Sequence, residues 1–427
     1  MTESYVNSWY ASTAHATPPR PALQERLSTD ICIIGAGFTG LSTALHLAEL
    51  GYQVVVLEAA KVGWGASGRN GGQIVNGYSR DLSVIQKRYG TEAATALGGM
   101  SLEGGHIIRQ FIKQYHIDCD FHPGNVIAAL NARQLNELNV MYHNWQEHGH
   151  QDLVMLDAED LREHVNSLTY IGGLYDRLGG HVHPLNLCLG EAAAVESLGG
   201  RIFEHSALTH LDRSAKKPVV KTAHGEVHAD YVVLCGNAYL GEAVPELQDQ
   251  VMPVSTQIVT TEVLGESLCR ELMPKQTCVE DANYMLDYYR MTADHRLLYG
   301  GGTVYGGAEP ADIEAKIRPH LEKTFPMLRD VPLEFAWSGN FALTLTRIPQ
   351  FGQLGEKVYF AHGYSGHGVT ATHLAGKLVS EAIHGDASRF QHFSQLPYYT
   401  FPGGRRWRVP LTMAGAWWYQ LRDKWGI

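Results

Sequence analysis

Cysteine is scarce and unpatterned. Six residues, Cys32, Cys119, Cys188, Cys235, Cys269 and Cys278, are scattered through 427 positions with no CxxC pair. That spacing excludes a zinc ribbon and offers no disulfide framework, so reduced thiols in a cytoplasmic protein are expected. Basic charge is also in short supply, with 34 Lys and Arg against 44 Asp and Glu. The resulting formal charge of −10 excludes the clustered cationic footprint of a nucleic-acid binder and favours cationic ligands over polyanions. No apolar run reaches the roughly 18 residues that a membrane span needs. The opening "MTESYVNSWYASTAHATPPRPALQERLSTD" lacks a basic start followed by an apolar core, so no signal peptide is expected. "HVH" at 181–183 has no carboxylate or cysteine close by, and no metal is expected there. What remains, 44% hydrophobic and 18% charged, is an ordinary globular chain able to bury one large core or two medium ones.

Glycine, by contrast, is abundant, and its placement organises the reading. Residues 1–29, rich in Ser, Ala and Pro, read as an extended lead-in with little regular structure. From Asp30 the pattern is strand ("DICIIG"), turn, helix ("FTGLSTALHLAEL"), a stop at Gly51, and strand ("YQVVVLE"), which makes a βαβ unit. Residues 80–150 carry helical periodicity, and "PLNLCLGEAAAVESL" reads as a helix with Pro184 in its first turn. "GRIFEHSALTHLDR" and "EVHADYVVLCGNAY" read as strands, and residues 250–345 as β-rich with one helix near "PADIEAKIRPHLEKTF". A last apolar strand, "KVYFAHGYSGHG", enters the helix "VTATHLAGKLVSEAI".

In "GAGFTG", covering Gly35, Ala36, Gly37, Phe38, Thr39 and Gly40, the first glycine permits the tight turn. The second lets backbone approach a pyrophosphate, and the third lets helix pack on strand. The free N–H groups of the helix start then face the anion. Glu58 ends the next strand, where a carboxylate can accept from an adenosine ribose, with Ala59 beside it. This pattern predicts a dinucleotide site but does not choose between NAD and FAD.

A second small-residue cluster follows at once. Residues 63–73, "GWGASGRNGGQ", hold Ala66, Ser67, Gly68, Arg69, Asn70, Gly71, Gly72 and Gln73, where a simple NAD domain would continue into a crossover helix. Such a loop can bring backbone against a large flat ligand, as a flavin requires. "DICIIGAGFTG", "VVLEAAKVGWGASGRNGGQ", "YVVLCGNAYL", "WSGNFALTLTRIPQFG" and "HGYSGHGVTATHLAG" resemble, in this order, the FAD-binding segments of the D-amino-acid oxidase and glycine/sarcosine oxidase superfamily. The likeness extends over nearly the whole chain.

The resemblance implies an α/β (α+β) fold, with a Rossmann-like FAD-binding domain and a mainly antiparallel β-sheet substrate domain. Expected boundaries are 30–80, 150–245 and 340–400 for the discontinuous FAD-binding domain. A helical insertion at 81–149, a substrate-binding sheet domain at 246–339 and a tail at 401–427 complete the division. It implies noncovalent FAD, since Leu343 stands where some relatives attach flavin through cysteine. Leu208 would hold the adenine, and Cys235, Gly236 and Asn237 the ADP part. Gly339 and the run Gly363, Tyr364, Ser365, Gly366, His367, Gly368 and Val369 would approach the flavin. The reaction implied is oxidative deamination of an amine, of the gamma-glutamylated polyamine kind, to aldehyde, ammonia and hydrogen peroxide. D-amino-acid or N-methyl-amino-acid oxidation is the alternative. Thr370 occupies the place of a lysine that clamps small α-amino acids in sarcosine oxidases, which favours a substrate with a distant carboxylate.

For catalysis, Arg69, His367, Tyr289 and Arg290 are the candidates. Arg290 could hold the distant carboxylate or form a structural ion pair. Tyr284, Tyr288 and Tyr289 could wall a channel and contact an ammonium, or simply form a tyrosine-rich strand. Asp281 and Asp287 could attract a polyamine, or be solvated charges. The tail, with Trp417, Trp418 and Trp425, could lie on a membrane surface or pack on the protein or a partner subunit. Oxygen or another acceptor, and a monomer or small homo-oligomer, complete the expectation.

Overall fold

The computed structural model describes residues 4–425, apart from the side chains of Glu242, Arg405 and residues from 419 onward; the Trp425 side chain therefore lies outside the described residues. Two sheets organise this part of the chain. The first contains β1 (Arg26–Ile34), β2 (Val54–Leu57), β7 (Arg201–Phe203), β10 (Glu226–Leu234), β16 (Gln350–Gln353) and β17 (Val358–His362), in the order β16-β17-β10-β1-β2-β7. β9 (Val219–Lys221) pairs with β10, and β8 (His210–Asp212) pairs with β9. β17, β10, β1, β2 and β7 run parallel, the doubly wound arrangement that the βαβ pattern implies.

Strand alternation divides this sheet's two faces. Ile31 and Ile33 point into one apolar cluster with the helices Phe38–Glu49, Pro184–Ser197 and Gly368–His384, while Cys32 and Ile34 point into another. His183 caps the Pro184–Ser197 helix through the N–H of Asn186, which is where the "HVH" run spends one of its imidazoles. The other, His181, stacks on His122 and faces the carbonyl of Gln276.

The second sheet contains β3 (Gln73–Ile74), β4 (His122–Ala129), β5 (Leu153–Asp157), β6 (Gly172–His181), β11 (Val251–Thr261), β12 (Cys278–Asp281), β13 (Tyr288–Met291), β14 (Leu297–Tyr305) and β15 (Leu333–Thr344). Its order is β15-β11-β14-β13-β12-β4-β6-β3, with β5 on β6. All these pairings are antiparallel except β12 with β4. The segment 81–149, expected as a helical insertion, therefore also supplies β4, and β6 from 150–245 joins this sheet rather than the parallel one. β4 carries Pro123, Gly124 and Asn125, residues of weak strand propensity, and its pairing with β6 and β12 overrides that preference. The strand expected over 200–213 is broken into β7 and β8.

The lead-in also differs from expectation. Trp9–Thr13 is a short helix capped by Ser8, and Trp9 and Tyr10 are buried between the sheets. Tyr10 packs edge-on to Trp337 and His183, and the Trp9 indole N–H donates to Asp294 at 3.1 Å. Two large aromatic side chains outweigh the poor propensity of the flanking Ser/Pro-rich chain. The C-terminal helix Gly404–Trp425 is held at its start, where Arg408 donates to the carbonyls of Gln248 and Val251. Trp407, Trp417 and Trp418 on it are exposed. No helix among the described residues is long and apolar enough to cross a membrane.

Trp9→Ala is expected to lower stability by about 3–5 kcal/mol. Denaturant unfolding checks this; a loss below about 1 kcal/mol would mean that the lead-in is not part of the core.

Candidate active site

The turn after β1 is built by backbone crowding. Gly35 has φ +105°, and a Cβ at Gly40 would sit 1.9 Å from the Gly35 carbonyl oxygen. The Phe38–Glu49 helix starts here on Gly37, which has no side chain to cap it, so its first N–H groups remain directed outward. Ser67, from the second small-residue cluster, reaches back to accept from the Phe38 N–H at 3.0 Å. The two clusters thus form one cradle. Glu58 accepts from the N–H groups of Ala36 (2.8 Å) and Ala60 (2.9 Å). Burial pushes its carboxyl pKa up and these N–H groups pull it down.

In front of this cradle lies a cavity of about 540 Å³, walled on one side by the parallel sheet and on the other by the antiparallel one. Gly35, Gly37, Phe38, Thr39, Glu58, Ala59, Leu208, Cys235, Gly236 and Asn237 line it from the first sheet and its loops. Ala66, Ser67, Arg69, Asn70, Gly71 and Gln73 line it from the second cluster, as do Gly339 and the run Tyr364, Ser365, Gly366, His367, Gly368 and Val369. Ala36, Gly40, Gly68, Gly72 and Gly363 do not reach the cavity; they shape the turns behind it. An elongated dinucleotide fits this wall. Peptide groups without side chains meet its middle, an acid stands near one end, and the start of the Gly368–His384 helix faces inward.

Two expected catalytic residues lie elsewhere. On β13 successive side chains point to opposite faces. Tyr288 lines the cavity, its ring filling space over Gly71 and Gly300, where an added Cβ would come within 2.5 and 2.1 Å of it. Tyr289 is fully buried on the far face, stacked on Tyr299 at 5.3 Å and donating to the Tyr170 hydroxyl. Arg290 is 1% exposed and holds the back of the cradle. Its Nε donates to the Gly71 carbonyl at 2.8 Å and its Nη2 to the Val182 carbonyl at 3.0 Å and the Tyr10 hydroxyl at 3.2 Å. Among the described residues it forms no ion pair, and it does not line the cavity where the sequence reading would have it hold a distant carboxylate. Asp281 is buried and Asp287 half-buried, so neither is the freely solvated charge that the sequence allowed. Asp281 is 4% exposed and accepts from Asn283, while Asp287 accepts from His320 at 2.9 Å.

Arg69 and His367 do line the cavity. The Arg69 guanidinium lies 4.2 Å over the Trp64 ring and its Nε donates to the Trp64 carbonyl, tying the loop to itself. The His367 imidazole is pushed down to about 4, by burial first and by the Arg347 cation second, so it is neutral at pH 7. Thr370 is buried and donates to the Val75 carbonyl at 2.7 Å instead of facing the cavity.

Sequence reasoning missed Arg347 and Glu280, both in the cavity wall. Arg347 follows β15 at φ +61°, its guanidinium 4.5 Å over the Tyr284 ring and donating to the Tyr284 hydroxyl. Its segment, "FALTLTRIP", was legible as a cofactor segment, but a positive φ on arginine has no local signature.

Arg290→Met is expected to leave the buried Gly71 and Val182 carbonyls unpaired, to cost about 2–4 kcal/mol and to weaken retention of FAD. Thermal unfolding and flavin content after gel filtration check this. A stable, flavin-replete variant that has merely lost turnover would return Arg290 to the catalytic group.

Residues 30–382 match the family model described as FAD dependent oxidoreductase, DAO. The chain is 54% identical over 428 aligned residues, covering 100% of both chains, to the gamma-glutamylputrescine oxidoreductase of Escherichia coli (strain K12). It is 39% identical to a probable oxidoreductase, OrdL, of Haemophilus influenzae, over 99% of this chain and 98% of that one. Among solved structures it is similar to glycine oxidase from Geobacillus kaustophilus, with TM-score 0.69, 20% identity, and 84% and 95% of the two chains covered. L-Proline dehydrogenase from P. horikoshii gives TM-score 0.70 at 20% identity, with 84% and 94% covered. Cradle, cavity and sequence agree: this chain belongs to the DAO family of FAD-dependent oxidoreductases.

Proposed function

We propose that this FAD-dependent amine oxidoreductase deaminates gamma-glutamylputrescine or a closely related gamma-glutamylated polyamine. The overall change is amine plus oxygen plus water to aldehyde, ammonia and hydrogen peroxide. The observation that carries the reading is the full-length 54% identity to a gamma-glutamylputrescine oxidoreductase, in a chain whose cavity wall carries groups suited to both ends of that molecule.

When bound, FAD supplies the acceptor for the hydride of the amine α-carbon. The chain's residues do the rest. The inward N–H groups at the start of the Gly368–His384 helix favour negative charge developing beside them. Neutral His367 can donate or accept there without adding charge. Tyr284 and Tyr288 give the aliphatic chain and the ammonium an aromatic wall. Arg347, the cavity cation not committed to the glycine loop, suits the far carboxylate, a charge-assisted contact of about 1.5–3 kcal/mol. With Thr370 turned to Val75, its position provides no clamp for a small α-amino acid. The six thiols are all unpaired and buried, which supports the cytoplasm as the compartment. We take the unit to be a monomer or small homo-oligomer.

Two measurements check this. Gamma-glutamylputrescine should bleach the flavin anaerobically at a kcat/KM at least about 100-fold above sarcosine or D-alanine; the reverse order would refute the assignment. Arg347→Met should raise KM for gamma-glutamylputrescine by about 10–100-fold, the loss of one charge-assisted contact. An unchanged KM would place the carboxylate elsewhere.

A further inference from the structure

One carboxylate in the cavity wall has no partner among the described residues. Glu280 lies on β12 directly opposite Tyr288 on β13, so the two side chains share the face that lines the cavity. Glu280 is 6% exposed, and among the described residues nothing donates to its carboxylate or pairs with it. Other acids of the interior are engaged: Asp281 by Asn283, Asp176 by Asn76 and Glu191 by His373, and the half-buried Asp287 by His320. Around Glu280 the strand neighbour on β4 is Ile127, and the nearby amide of Gln73 is turned to the Val279 carbonyl at 3.1 Å. The two guanidinium groups of the cavity, Arg69 and Arg347, lie over Trp64 and Tyr284. A buried carboxylate without a partner is costly, and one aimed into a ligand cavity fits a cation that arrives with the ligand.

We propose that Glu280 receives the ammonium of the amine substrate and takes its proton before hydride leaves the α-carbon. The proposal rests on the amine-oxidising reading above. In the step, R–CH2–NH3⁺ and the Glu280 carboxylate become R–CH2–NH2 and the Glu280 carboxylic acid. The amine lone pair then assists departure of hydride from the α-carbon to FAD, leaving R–CH=NH2⁺, which water converts to aldehyde and ammonium. The Glu280 proton passes to solvent after product leaves.

Burial alone lifts the Glu280 carboxyl to about 7. The titratable groups on the elements around it are Cys278 and Asp281 on β12, Tyr288, Tyr289 and Arg290 on β13, and His122, Tyr175, Asp176, Arg177 and His181 on β4 and β6; Asp287 precedes β13. None of them contributes to this shift. Glu280 is therefore neutral below pH 7 and ionised above it, and proton uptake from the substrate requires the ionised form. The sign for stability is opposite. A carboxyl raised in the folded state contributes stability below its unfolded value near 4.5, lost as pH rises through 7.

The test uses holoenzyme with Glu280→Gln and Glu280→Asp, with anaerobic flavin bleaching followed from pH 5 to 9 using the best amine of the wild-type panel. Glu280→Gln should lower the bleaching rate at saturating amine by about 100-fold or more and remove the acid limb near pH 7. Glu280→Asp should keep the limb. tert-Butylamine has no α-hydrogen to lose; its binding, read by flavin absorbance, should weaken about tenfold in Glu280→Gln. Melting temperature should rise in Glu280→Gln at pH 8 and not at pH 5. A saturating rate within about threefold of wild type, with the limb intact, overturns the proposal. So does a raised half-saturation alone, or a Glu280→Gln protein that loses stability at pH 8, since the acid would then be a binding or structural group. If Glu280→Gln fails to fold, Glu280→Asp without the limb has the same force. A wild type that no amine bleaches defeats the amine-oxidising reading itself, which separates the two failures.

Discussion

The site exists because side chains are missing where two stretches of backbone meet. The turn after β1 can close only without a Cβ at Gly40, which would lie 1.9 Å from the Gly35 carbonyl oxygen, and the loop carrying Ser67 can dock on it only if Gly37 is bare. The same bareness leaves peptide N–H groups at the mouth of a helix as the surface that a diphosphate meets. We infer that this contact holds the cofactor in place, and substrate position, redox chemistry and specificity follow from it.

Around that contact the two sheets divide the labour. The parallel sheet supplies Glu58 and Leu208 at one end of the cavity, and the antiparallel sheet supplies Thr256, Glu280, Tyr288 and Gly339 at the other. Arg290 joins them mechanically: it is buried beneath the cradle, bonded at once to Gly71, to Val182 just after β6 and to Tyr10 of the lead-in. With the Met291 carbonyl, which its Nη1 reaches at 3.2 Å, this cation has four neutral acceptors in a dry interior, and it is a stiff tie because breaking any bond strands a polar group. The cavity wall keeps its electrostatics separate from that scaffold. His367 is neutral and Arg69 is bound to its own loop, which leaves Arg347 and the acid Glu280, ionised only above about pH 7, as the groups we infer to meet the two charged ends of the substrate.

Much of this was legible because glycine spacing and strand-turn-helix order report backbone geometry directly. The turn 35–40, Glu58, the loop 66–73 and the run 364–369 all reach the cavity wall or its support. Two kinds of information were not local. The first is which face of a strand looks inward: in "DYYR" the sequence offers Tyr288, Tyr289 and Arg290 together, but alternation admits Tyr288 and sends Tyr289 to the opposite core. The second is which distant strands pair. Glu280 sits in a four-residue strand, "CVED", with no motif, and it becomes a cavity residue because β12 pairs with β4 and β13. Likewise β4 and β6, assigned by local pattern to other parts of the chain, enter the second sheet through partners far away in sequence. The lead-in shows the same limit, since Trp9 and Tyr10 are ordered by Trp337 and His183 and not by their flanking residues.

The central claim is that bare backbone at Gly37, facing Ser67, is what seats the FAD. Titrating flavin-free protein with FAD, following quenching of flavin fluorescence, tests it most directly in wild type and in Gly37→Val, whose Cβ would meet the Ser67 oxygen at 2.7 Å. The account predicts one FAD per chain in wild type and binding weaker by at least about 100-fold in the folded variant. Equal affinity in the two proteins would contradict it.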